Sequence, residues 1–436
     1  MKLLLINPND NNTSRNPALN EYVVQNPHIF IMRQPSLPLL TVAALTPEDI
    51  EVEYVDENVS NIDLSCEADL VGITGMTQQA VRAYEIADGF RSRRIKVVMG
   101  GIHATVLPEE AKQHADSVVI GEAEDVWTTC ISDFLNGSMK EYYHGGMPEL
   151  KKSPLPRYDL ARDFDFAGSP LSYVPIQVSR GCPNNCAFCT VTSIYGKKYR
   201  TKTVQQVVRE FESILAACRF QNMVIKFNDD NPFIDKKFTK AMLRAITPLK
   251  AKWFSLADIS IARSPDILDL LRESGCLALG IGFESVDPHV LDDVSHWKRK
   301  YLQSYAESVR IIKEHGMIVA GSFMFGFDHD TVETFRRVRD FVLENNVPSK
   351  YSIVTPFPGT RLYDKICAQG RLKKELNWSH YNFLNVVYKT KMPEALLMEE
   401  LRKLYEETWS QQAMNQISAS NATVMEKSER LRKQTR

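Results

Sequence analysis

Short apolar segments alternate with helix-like segments over the first 145 residues of the chain. The apolar segments are rich in Val and Ile, as expected for parallel strands that are buried on both faces. These segments are Lys2–Ile6, Glu51–Val55, Asp69–Thr74, Lys96–Met99 and Ser117–Ile120. The helix-like segments are Pro38–Leu45, Thr77–Arg91, Pro108–Gln113 and Glu124–Leu135. The alternation predicts an α/β fold, with a Rossmann-like doubly wound parallel sheet over residues 1–145.

A second alternation begins at Val174, after a proline-rich segment (residues 146–172) that is typical of an interdomain linker. The predicted strands are Val174–Val178, Met223–Phe227, Trp253–Ala257, Leu277–Phe283, Ile318–Phe325 and Tyr351–Thr355. The predicted helices are Val204–Ala217, Lys236–Ile246, Pro265–Ser274, Leu302–Glu314 and Thr331–Glu344. Six strand–helix units predict a partial (β/α)6 barrel of the TIM type over residues 173–370, with its chemistry on the loops that follow the strands.

Two further segments depart from this alternation. Residues 7–37 are rich in Asn and Pro, a pattern typical of a functional or disordered loop. Residues 371–436 are predicted to form a C-terminal helical region with a polar tail. Within it, Pro393–Gln412 carries apolar residues at helical spacing and predicts one amphipathic helix. We interpret residues 413–436 as a frayed, solvated end rather than a basic tail that binds a partner.

Composition and charge exclude several classes of function. The chain has 436 residues, of which 44% are apolar and 25% charged, as in an ordinary globular protein in water. The formal net charge of −1 predicts no attraction to nucleic acid or to an anionic membrane. No apolar run reaches the roughly 20 residues that span a bilayer, and the N-terminal run is too short for a signal peptide. Eight cysteines without a paired pattern indicate the reducing cytoplasm.

Three of those cysteines, Cys182, Cys186 and Cys189, lie in the short segment Arg-Gly-Cys-Pro-Asn-Asn-Cys-Ala-Phe-Cys after the first barrel strand. This spacing gathers three thiolates on one side of a small loop. A four-iron cluster normally takes four cysteine ligands, so three leave one iron open to a small molecule. The alternatives are a zinc site completed by a histidine, and chance clustering. The nearest histidine in the sequence, His144, lies far from the loop, which disfavours a local zinc site.

The cysteine spacing, with Phe188 before the third cysteine, resembles the signature of radical S-adenosylmethionine enzymes. The resemblance implies a 4Fe–4S cluster whose open iron binds S-adenosylmethionine, and an electron donor such as flavodoxin or ferredoxin. It also assigns Phe188, Glu284 and Ser285 to the S-adenosylmethionine site, because family members carry a similar Gly-x-Glu-Ser segment. Asp230 follows the second barrel strand, where a carboxylate suits an ammonium or ribose hydroxyl; the alternative is a helix N-cap or turn.

The first domain resembles the cobalamin-binding domain that precedes the radical domain in one subclass of these enzymes. The resemblance rests on glycine-rich strand ends, and it assigns to cobalamin the residues Thr74, Gly100, Gly101, His103, Gly121 and Glu122. The motif Asp-x-His-x-x-Gly, which supplies a histidine ligand to cobalt in other cobalamin proteins, is absent. Its absence is usual in this subclass, and it leaves open a domain that serves only as a scaffold. We interpret His103 as a loop histidine and not as a cobalt ligand.

The two resemblances together predict a transferase. Cobalamin would carry a methyl group from S-adenosylmethionine to an unactivated carbon or phosphorus of a small-molecule or lipid-like substrate. One alternative keeps the cluster without methyl transfer, and covers aminocarboxypropyl transfer, cyclisation and rearrangement. A remote alternative is a metal-binding sensor or scaffold. The sequence identifies neither the substrate nor a catalytic residue that relays protons or radicals.

Overall fold

The computed structural model describes residues 1–9, 34–162, 172–218 and 222–434, so most of the predicted loop at residues 7–37 lies outside the described residues. The first sheet has six parallel strands in the order β2-β1-β3-β4-β5-β6, which confirms the predicted Rossmann-like sheet. Its strands are β1 (Lys2–Asn7), β2 (Glu51–Asp56), β3 (Leu70–Thr74), β4 (Lys96–Gly100), β5 (Ser117–Ile120) and β6 (Tyr142–His144). The edge strand β6 was not predicted, because its three residues, Tyr-Tyr-His, carry no buried-strand pattern.

Helices cover both faces of this sheet, which explains why its central strands are almost wholly apolar. They are α1 (Leu37–Leu45), α2 (Ala80–Ser92), α3 (Gly101–Val106), α4 (Pro108–His114) and α5 (Trp127–Leu135). Leu3 and Leu5 of β1 pack with α1 and α5 on one face. Leu4 and Ile6 pack with α2 on the other face. The alternation of these four leucine and isoleucine side chains shows that β1 is buried on both sides.

The segment after β4 is a helix, which corrects our interpretation of His103 as a loop histidine. Helix α3 starts at Gly101, immediately after the strand. Gly101 has a φ of +91°, and a Cβ atom on it would lie 2.5 Å from the hydroxyl of Thr74 and 2.9 Å from the amide of Gly75. Only glycine permits this close approach of β4 to the end of β3. The glycine pair that predicted a loop therefore marks a very tight strand-to-helix turn.

The second sheet has six parallel strands in the order β14-β13-β12-β11-β10-β7, which confirms the partial barrel. Its strands are β7 (Ser172–Ile176), β10 (Met223–Phe227), β11 (Trp253–Ala257), β12 (Cys276–Glu284), β13 (Ile318–Phe325) and β14 (Ser349–Ile353). Two short strands, β8 (Ser179–Arg180) and β9 (Arg200–Thr201), pair antiparallel after β7. The first barrel strand ends at Ile176 and not at the predicted Val178, and β8 begins shortly after it at Ser179.

Helices accompany the second sheet, and most of them pack on its outer face over one apolar core. They are α6 (Val191–Ile194), α7 (Val204–Ala217), α8 (Lys236–Ile246), α9 (Pro265–Glu273), α10 (Pro288–Val294), α11 (His296–Arg299), α12 (Tyr305–Glu314), α13 (Val332–Glu344) and α14 (Arg361–Ala368). The start of α7 shows how local sequence sets a boundary. The hydroxyl of Thr203 accepts a hydrogen bond from the amide of Gln206, whose side chain bonds back to the amide of Thr203.

The C-terminal region contains two helices, α15 (Glu394–Thr408) and α16 (Gln411–Gln434), where the sequence predicted one helix and a frayed tail. Helix α16 is packed, not frayed: Ile417, Val424 and Ser428 are buried. Ser428 lies against Gly316, where any larger residue would clash with the helix backbone. Only a narrow stripe of the helix is buried and most of its other residues are polar, which is why the composition of the segment resembles a solvated tail.

Short 3-10 turns occupy the described part of the predicted linker. Leu150 and Tyr158 are buried there, and the hydroxyl of Tyr158 donates to the carbonyl of Pro175 at 3.0 Å. The segment thus packs along the edge of the barrel, while the domain boundaries at residues 145, 172 and 370 stay predictions. Among the described residues, no helix combines the length and the apolar character needed to cross a membrane.

Candidate active site

Backbone contacts hold the cysteine loop (residues 182–189) where it leaves β8. The preceding residue, Gly181, has a φ of +86°, and a Cβ atom on it would lie 2.3 Å from the carbonyl oxygen of Lys198. Only glycine therefore fits this turn. At the far end of the loop, the amide of Leu362 in α14 donates to the carbonyl of Ala187 at 2.9 Å. The loop is thus fixed both to the strand before it and to a helix from the end of the barrel.

The thiol groups of Cys182, Cys186 and Cys189 are half-buried in this loop. The sulfur of Cys186 lies 3.1 Å from the hydroxyl oxygen of Ser295 and accepts a hydrogen bond from the indole of Trp297 at 3.5 Å. Among the described residues, no three Cys, His, Asp or Glu side chains are placed to hold one metal ion. Three cysteines on one loop suit an iron–sulfur cluster with one open iron.

Phe188 and Ser285 both have contacts within the protein. The ring of Phe188 packs against the apolar cluster that includes Val294, and the neighbouring amide of Ala187 donates to the carbonyl of Val294 at 3.0 Å. Phe188 thereby anchors the loop to the barrel. Ser285 is buried, and its hydroxyl accepts a hydrogen bond from the amide of Asp287 at 3.0 Å. The contact of Phe188 and Ser285 with S-adenosylmethionine stays a prediction.

Glu284 ends β12 in a backbone conformation that is uncommon for a residue with a side chain. Its φ is +64°, and the register between β12 and β13 shifts at this point. Its carboxylate accepts a hydrogen bond from the ammonium of Lys298 at 2.5 Å, and the same ammonium donates to the carbonyl of Gly282 at 2.7 Å. Because Trp297 contacts the sulfur of Cys186, this buried pair links the end of β12 to the cysteine loop.

Two adjacent carboxylates after β10 have different surroundings. Asp229 accepts hydrogen bonds from the amide of Val178 at 3.1 Å and from the amide and hydroxyl of Ser179, each at 2.5 Å. Asp229 therefore stabilises the turn between β7 and β8, a role that was one alternative for a carboxylate after β10. Asp230 has a buried carboxylate oxygen without a hydrogen-bond partner among the described residues. Burial raises the pKa of Asp230 to about 6, against the opposing effect of Arg180. Asp230 is thus able to accept a hydrogen bond from a ligand.

A cavity of about 520 Å³ lies between the two sheets, at the carboxyl ends of their strands. From the first sheet, its lining includes Thr74, Gly100, Gly101, Gly121 and Glu122. From the barrel side, its lining includes Gln177, Arg180, Tyr195, Asn228 and Asp230. The structure therefore brings five of the six residues predicted to contact cobalamin to one wall, and it places Asp230 on the facing wall. The three cysteines, Phe188, Glu284 and Ser285 are not among the lining residues.

A cluster of buried ion pairs joins the two walls of this cavity. The carboxylate of Glu122 accepts hydrogen bonds from Arg180 at 2.6 Å and from Arg200 at 2.5 and 3.1 Å. A second nitrogen of Arg180 lies 2.6 Å from Glu124, and although burial acts in the opposite direction, Arg180 lowers the pKa of Glu124. Since Arg180 comes just before Gly181, these bonds tie the end of β5 to the start of the cysteine loop.

His103 is the predicted cobalamin residue that the structure places elsewhere. It is buried in α3, and it is not among the residues that line the cavity. Its Nε2 atom lies 3.0 Å from the hydroxyl of Tyr84 and 3.4 Å from Glu110. The same carboxylate accepts a hydrogen bond from the indole of Trp378 at 2.7 Å. His103 thus belongs to a polar cluster where the C-terminal region contacts the first domain, and its contact with cobalamin stays a prediction.

Sequence comparisons identify both domains. The Radical SAM superfamily matches residues 176–342, and the B12 binding domain matches residues 33–130. Bacteriochlorophyllide d C-8(2)-methyltransferase of Chlorobaculum tepidum is 32% identical over 388 residues, 86% of this chain and 86% of that protein. The chain belongs to the cobalamin-dependent radical S-adenosylmethionine methyltransferases. It is therefore an enzyme and a transferase, and its cofactors are a 4Fe–4S cluster, S-adenosylmethionine and cobalamin.

Other members of this methyltransferase family extend the comparison. Bacteriochlorophyllide d C-12(1)-methyltransferase of Chlorobaculum tepidum is 30% identical over 385 residues, 87% of this chain and 83% of that protein. Hopanoid C-2 methylase of Rhodopseudomonas palustris is 28% identical over 394 residues, 85% and 73% of the two chains. The solved structure of the methyltransferase TsrM from Kitasatospora setae, with cobalamin and its iron–sulfur cluster, has a TM-score of 0.67 at 18% identity, and covers 92% and 90% of the chains. The last similarity supports the fold.

The residues of this methyltransferase fit its cofactors. Cys182, Cys186 and Cys189 would hold the cluster, because they supply three thiolates on one rigid loop. The unpartnered oxygen of Asp230 suits a donor group of S-adenosylmethionine. The glycine-rich strand ends at Gly100, Gly101 and Gly121 line the cavity, where cobalamin would bind.

We predict that Glu284→Ala weakens binding of S-adenosylmethionine without removing the cluster, since Glu284 and the cysteines lie on different segments. The substitution also leaves Lys298 buried without its partner, which destabilises by about 3–5 kcal/mol. The double variant Glu284→Ala/Lys298→Met removes both charges and is expected to recover most of that stability.

Isothermal titration with S-adenosylmethionine and iron analysis of both variants separate the two effects. If the double variant binds S-adenosylmethionine as well as the wild type, Glu284 has a structural role and no contact with the cofactor. Loss of iron in either variant would contradict the prediction that Glu284 is not needed to hold the cluster. Lys298→Met alone is the matched control for the loss of the ion pair.

Proposed function

We propose that the chain transfers a methyl group from S-adenosylmethionine to a carbon or phosphorus atom of a small-molecule or lipid-like substrate. The observation that carries this proposal is the cavity whose walls come from both domains. The cluster and S-adenosylmethionine supply a radical that removes a substrate hydrogen, and cobalamin carries the methyl group. A transfer between the cofactors of the two domains requires one space that both domains line, and this cavity provides it.

The protein's own contribution is positioning and exclusion of water. The ion pairs of Glu122 with Arg180 and Arg200 hold the two walls at a fixed separation. Lining residues such as Leu5, Val98 and Ile194 make much of the cavity wall apolar. The apolar part of this wall helps to exclude water from the space.

The names of the relatives suggest which substrates to test. Two relatives act on bacteriochlorophyllide d and one on a hopanoid. These two kinds of substrate are both apolar and contain several rings, which supports a substrate of that type for this chain as well. We propose flavodoxin or ferredoxin as the source of the electron that starts the reaction.

The test is the set of products that the reconstituted enzyme releases under anaerobic conditions. We expect corrinoid to stay with the protein through gel filtration. With bacteriochlorophyllide d or a hopanoid and reduced flavodoxin, turnover should give both 5′-deoxyadenosine and S-adenosylhomocysteine, because one S-adenosylmethionine supplies the radical and another the methyl group. Enzyme without corrinoid is the control, and it should form no S-adenosylhomocysteine.

Other products would identify the alternatives. A second relative type, the anaerobic magnesium-protoporphyrin IX monomethyl ester cyclase of Cereibacter sphaeroides, is 25% identical over 333 residues. Formation of 5′-deoxyadenosine without S-adenosylhomocysteine would favour cyclisation or rearrangement. Formation of 5′-methylthioadenosine would indicate aminocarboxypropyl transfer. Full activity without corrinoid would reject methyl transfer through cobalamin and leave the first domain as a scaffold.

A further inference from the structure

The inner face of the barrel sheet carries two lysines. Ile225 and Phe227 of β10 belong to the outer core, where Phe227 contacts Phe211 of α7. Since side chains alternate along a strand, Lys226 between them points to the inner face. On β14, Tyr351 and Ile353 belong to the same outer core, so Lys350 also points inward.

Neither lysine has an ion pair or a hydrogen bond among the described residues, although both lie inside the barrel. Burial, together with the smaller effect of the positive charge of Lys350, lowers the pKa of Lys226 to about 8. Burial likewise lowers the pKa of Lys350. Lys350 is thus near enough for its charge to act on Lys226. Both side chains are only partly exposed, and charged groups that are partly removed from water are normally paired. Two cations on the inner face, neither with a counter-ion among the described residues, therefore suit an anionic ligand.

The inner face also carries an exposed apolar side chain, beside polar residues such as Ser322 of β13. Leu256 of β11 is 41% exposed, whereas its neighbours Ser255 and Ala257 are buried against the outer layer. Gly280 of β12 lies on the same face, since a Cβ atom on it would lie 2.7 Å from the side chain of Leu256 and 3.2 Å from that of Phe254. Exposed apolar side chains inside a fold indicate a binding surface.

This surface continues into the cavity between the domains. Lys226 and Asn228 are two residues apart, and Asn228 lines that cavity. The register pairs Lys226 with Phe254, and it pairs Lys350 with Ser322 of β13. A molecule in the barrel thus contacts apolar side chains and meets both ammonium groups, while its other end reaches the strand ends where the cofactors bind.

We propose that Lys226 and Lys350 bind the anionic head group, a carboxylate or a phosphate, of an otherwise apolar substrate inside the barrel. The proposal rests on the proposed function, because it names the substrate class of the same site. The two lysines neutralise the head group, and Leu256 and Phe254 contact the apolar body. The specificity that follows is for amphiphiles with a negative charge over neutral molecules of the same length.

The test measures binding to the full-length protein reconstituted with its cluster, without turnover. The probe is cis-parinaric acid, a fluorescent long-chain carboxylate. We expect saturable binding, with displacement by dodecanoate or dodecyl phosphate at least about tenfold better than by dodecanol, because a charged contact contributes more than about 1.4 kcal/mol. The better of the two anionic competitors identifies the head group. Equal displacement by dodecanol would overturn the proposal.

Lysine-to-methionine variants test the residues themselves. Lys226→Met and Lys350→Met replace the ammonium by an unbranched apolar chain that is one atom shorter, and each is expected to lower affinity for the probe about tenfold. Lys151→Met, at an exposed position, is the control and should bind normally. Without ligand, both inner variants should unfold at the same temperature as the wild type or at a higher one, since each removes a partly buried charge that has no counter-ion among the described residues. Unchanged affinity, or unfolding at lower temperature, would contradict a substrate-binding role.

This measurement is independent of methyl transfer. Probe binding that depends on both lysines, in a protein that forms no S-adenosylhomocysteine, would support the anionic site and reject the methyl-transfer proposal. Methyl transfer by the wild type, together with unchanged probe binding in both lysine variants, would support the methyl-transfer proposal and reject the anionic site.

Discussion

Replacing Cys182, Cys186 and Cys189 together by Ala is expected to abolish iron binding and all cleavage of S-adenosylmethionine, while the chain stays folded. The wild-type protein, reconstituted without oxygen, should take up close to four irons per chain and show a broad absorbance band at the edge of the visible range. The fold should survive because the cysteine loop is held by backbone hydrogen bonds and by Phe188, and the three thiols do not belong to the apolar cores.

Cys367→Ala is the matched control, because Cys367 is exposed and lies outside the loop. It should leave iron content and absorbance unchanged. Iron and sulfide analysis, absorbance, and circular dichroism together separate loss of the cluster from loss of the fold. Stoichiometric zinc with no uptake of iron in the wild-type protein would contradict the assignment of these cysteines to a cluster.

The second large effect is expected at Arg180. Arg180→Met leaves Glu124 buried without a counter-ion and removes one of the two partners of Glu122. Breaking a buried ion pair destabilises by about 3–5 kcal/mol, so the free energy of unfolding should fall by about that amount. Since these bonds join the two walls of the cavity, the variant should also lose corrinoid during gel filtration. Arg180→Lys should rescue little, because one ammonium does not reproduce two guanidinium contacts.

Chemical denaturation and corrinoid retention are measured side by side. The double variant Arg180→Met/Glu124→Gln removes the unpaired charge. We expect it to regain much of the lost free energy of unfolding, but to retain little more corrinoid than Arg180→Met. Arg310→Met is the control, because Arg310 forms exposed pairs with Glu307 and Glu314 on one helix, and such pairs add little stability. If Arg180→Met retains both stability and corrinoid, the cluster of ion pairs does not hold the domains together.

The local sequence pattern was sufficient to predict a helix or strand wherever that element buries apolar residues at a regular spacing. The strands at Ser117–Ile120, Met223–Phe227 and Trp253–Ala257 and the helices at Val204–Ala217 and Lys236–Ile246 have the bounds that the sequence predicts. Each carries a strong period of apolar residues, and the two helices have clear N-caps. The cysteine loop was also recognisable, because its spacing and its place after a strand are both local properties.

Helix α16 and strand β6 show where local pattern was insufficient. The stripe of Ile417 and Val424 is too narrow to predict burial, and the helix is buried because Gly316 and the neighbouring helices accept it. Strand β6 has no apolar period and forms because β5 offers a free edge. In both cases the decisive contacts come from residues distant in the sequence.

The amino-acid sequence by itself determined the two α/β sheets, the cysteine loop and the glycine turns at the strand ends, since these depend on short-range periodicity and on backbone conformations open to few residue types. Only the tertiary structure decided which side chains meet. It paired Arg180 with Glu122 and Glu124, placed His103 away from the cavity, and left Lys226 and Lys350 on the inner face of the barrel sheet. Charged residues interact with whatever the fold places beside them, and no spacing along the chain encodes that neighbour.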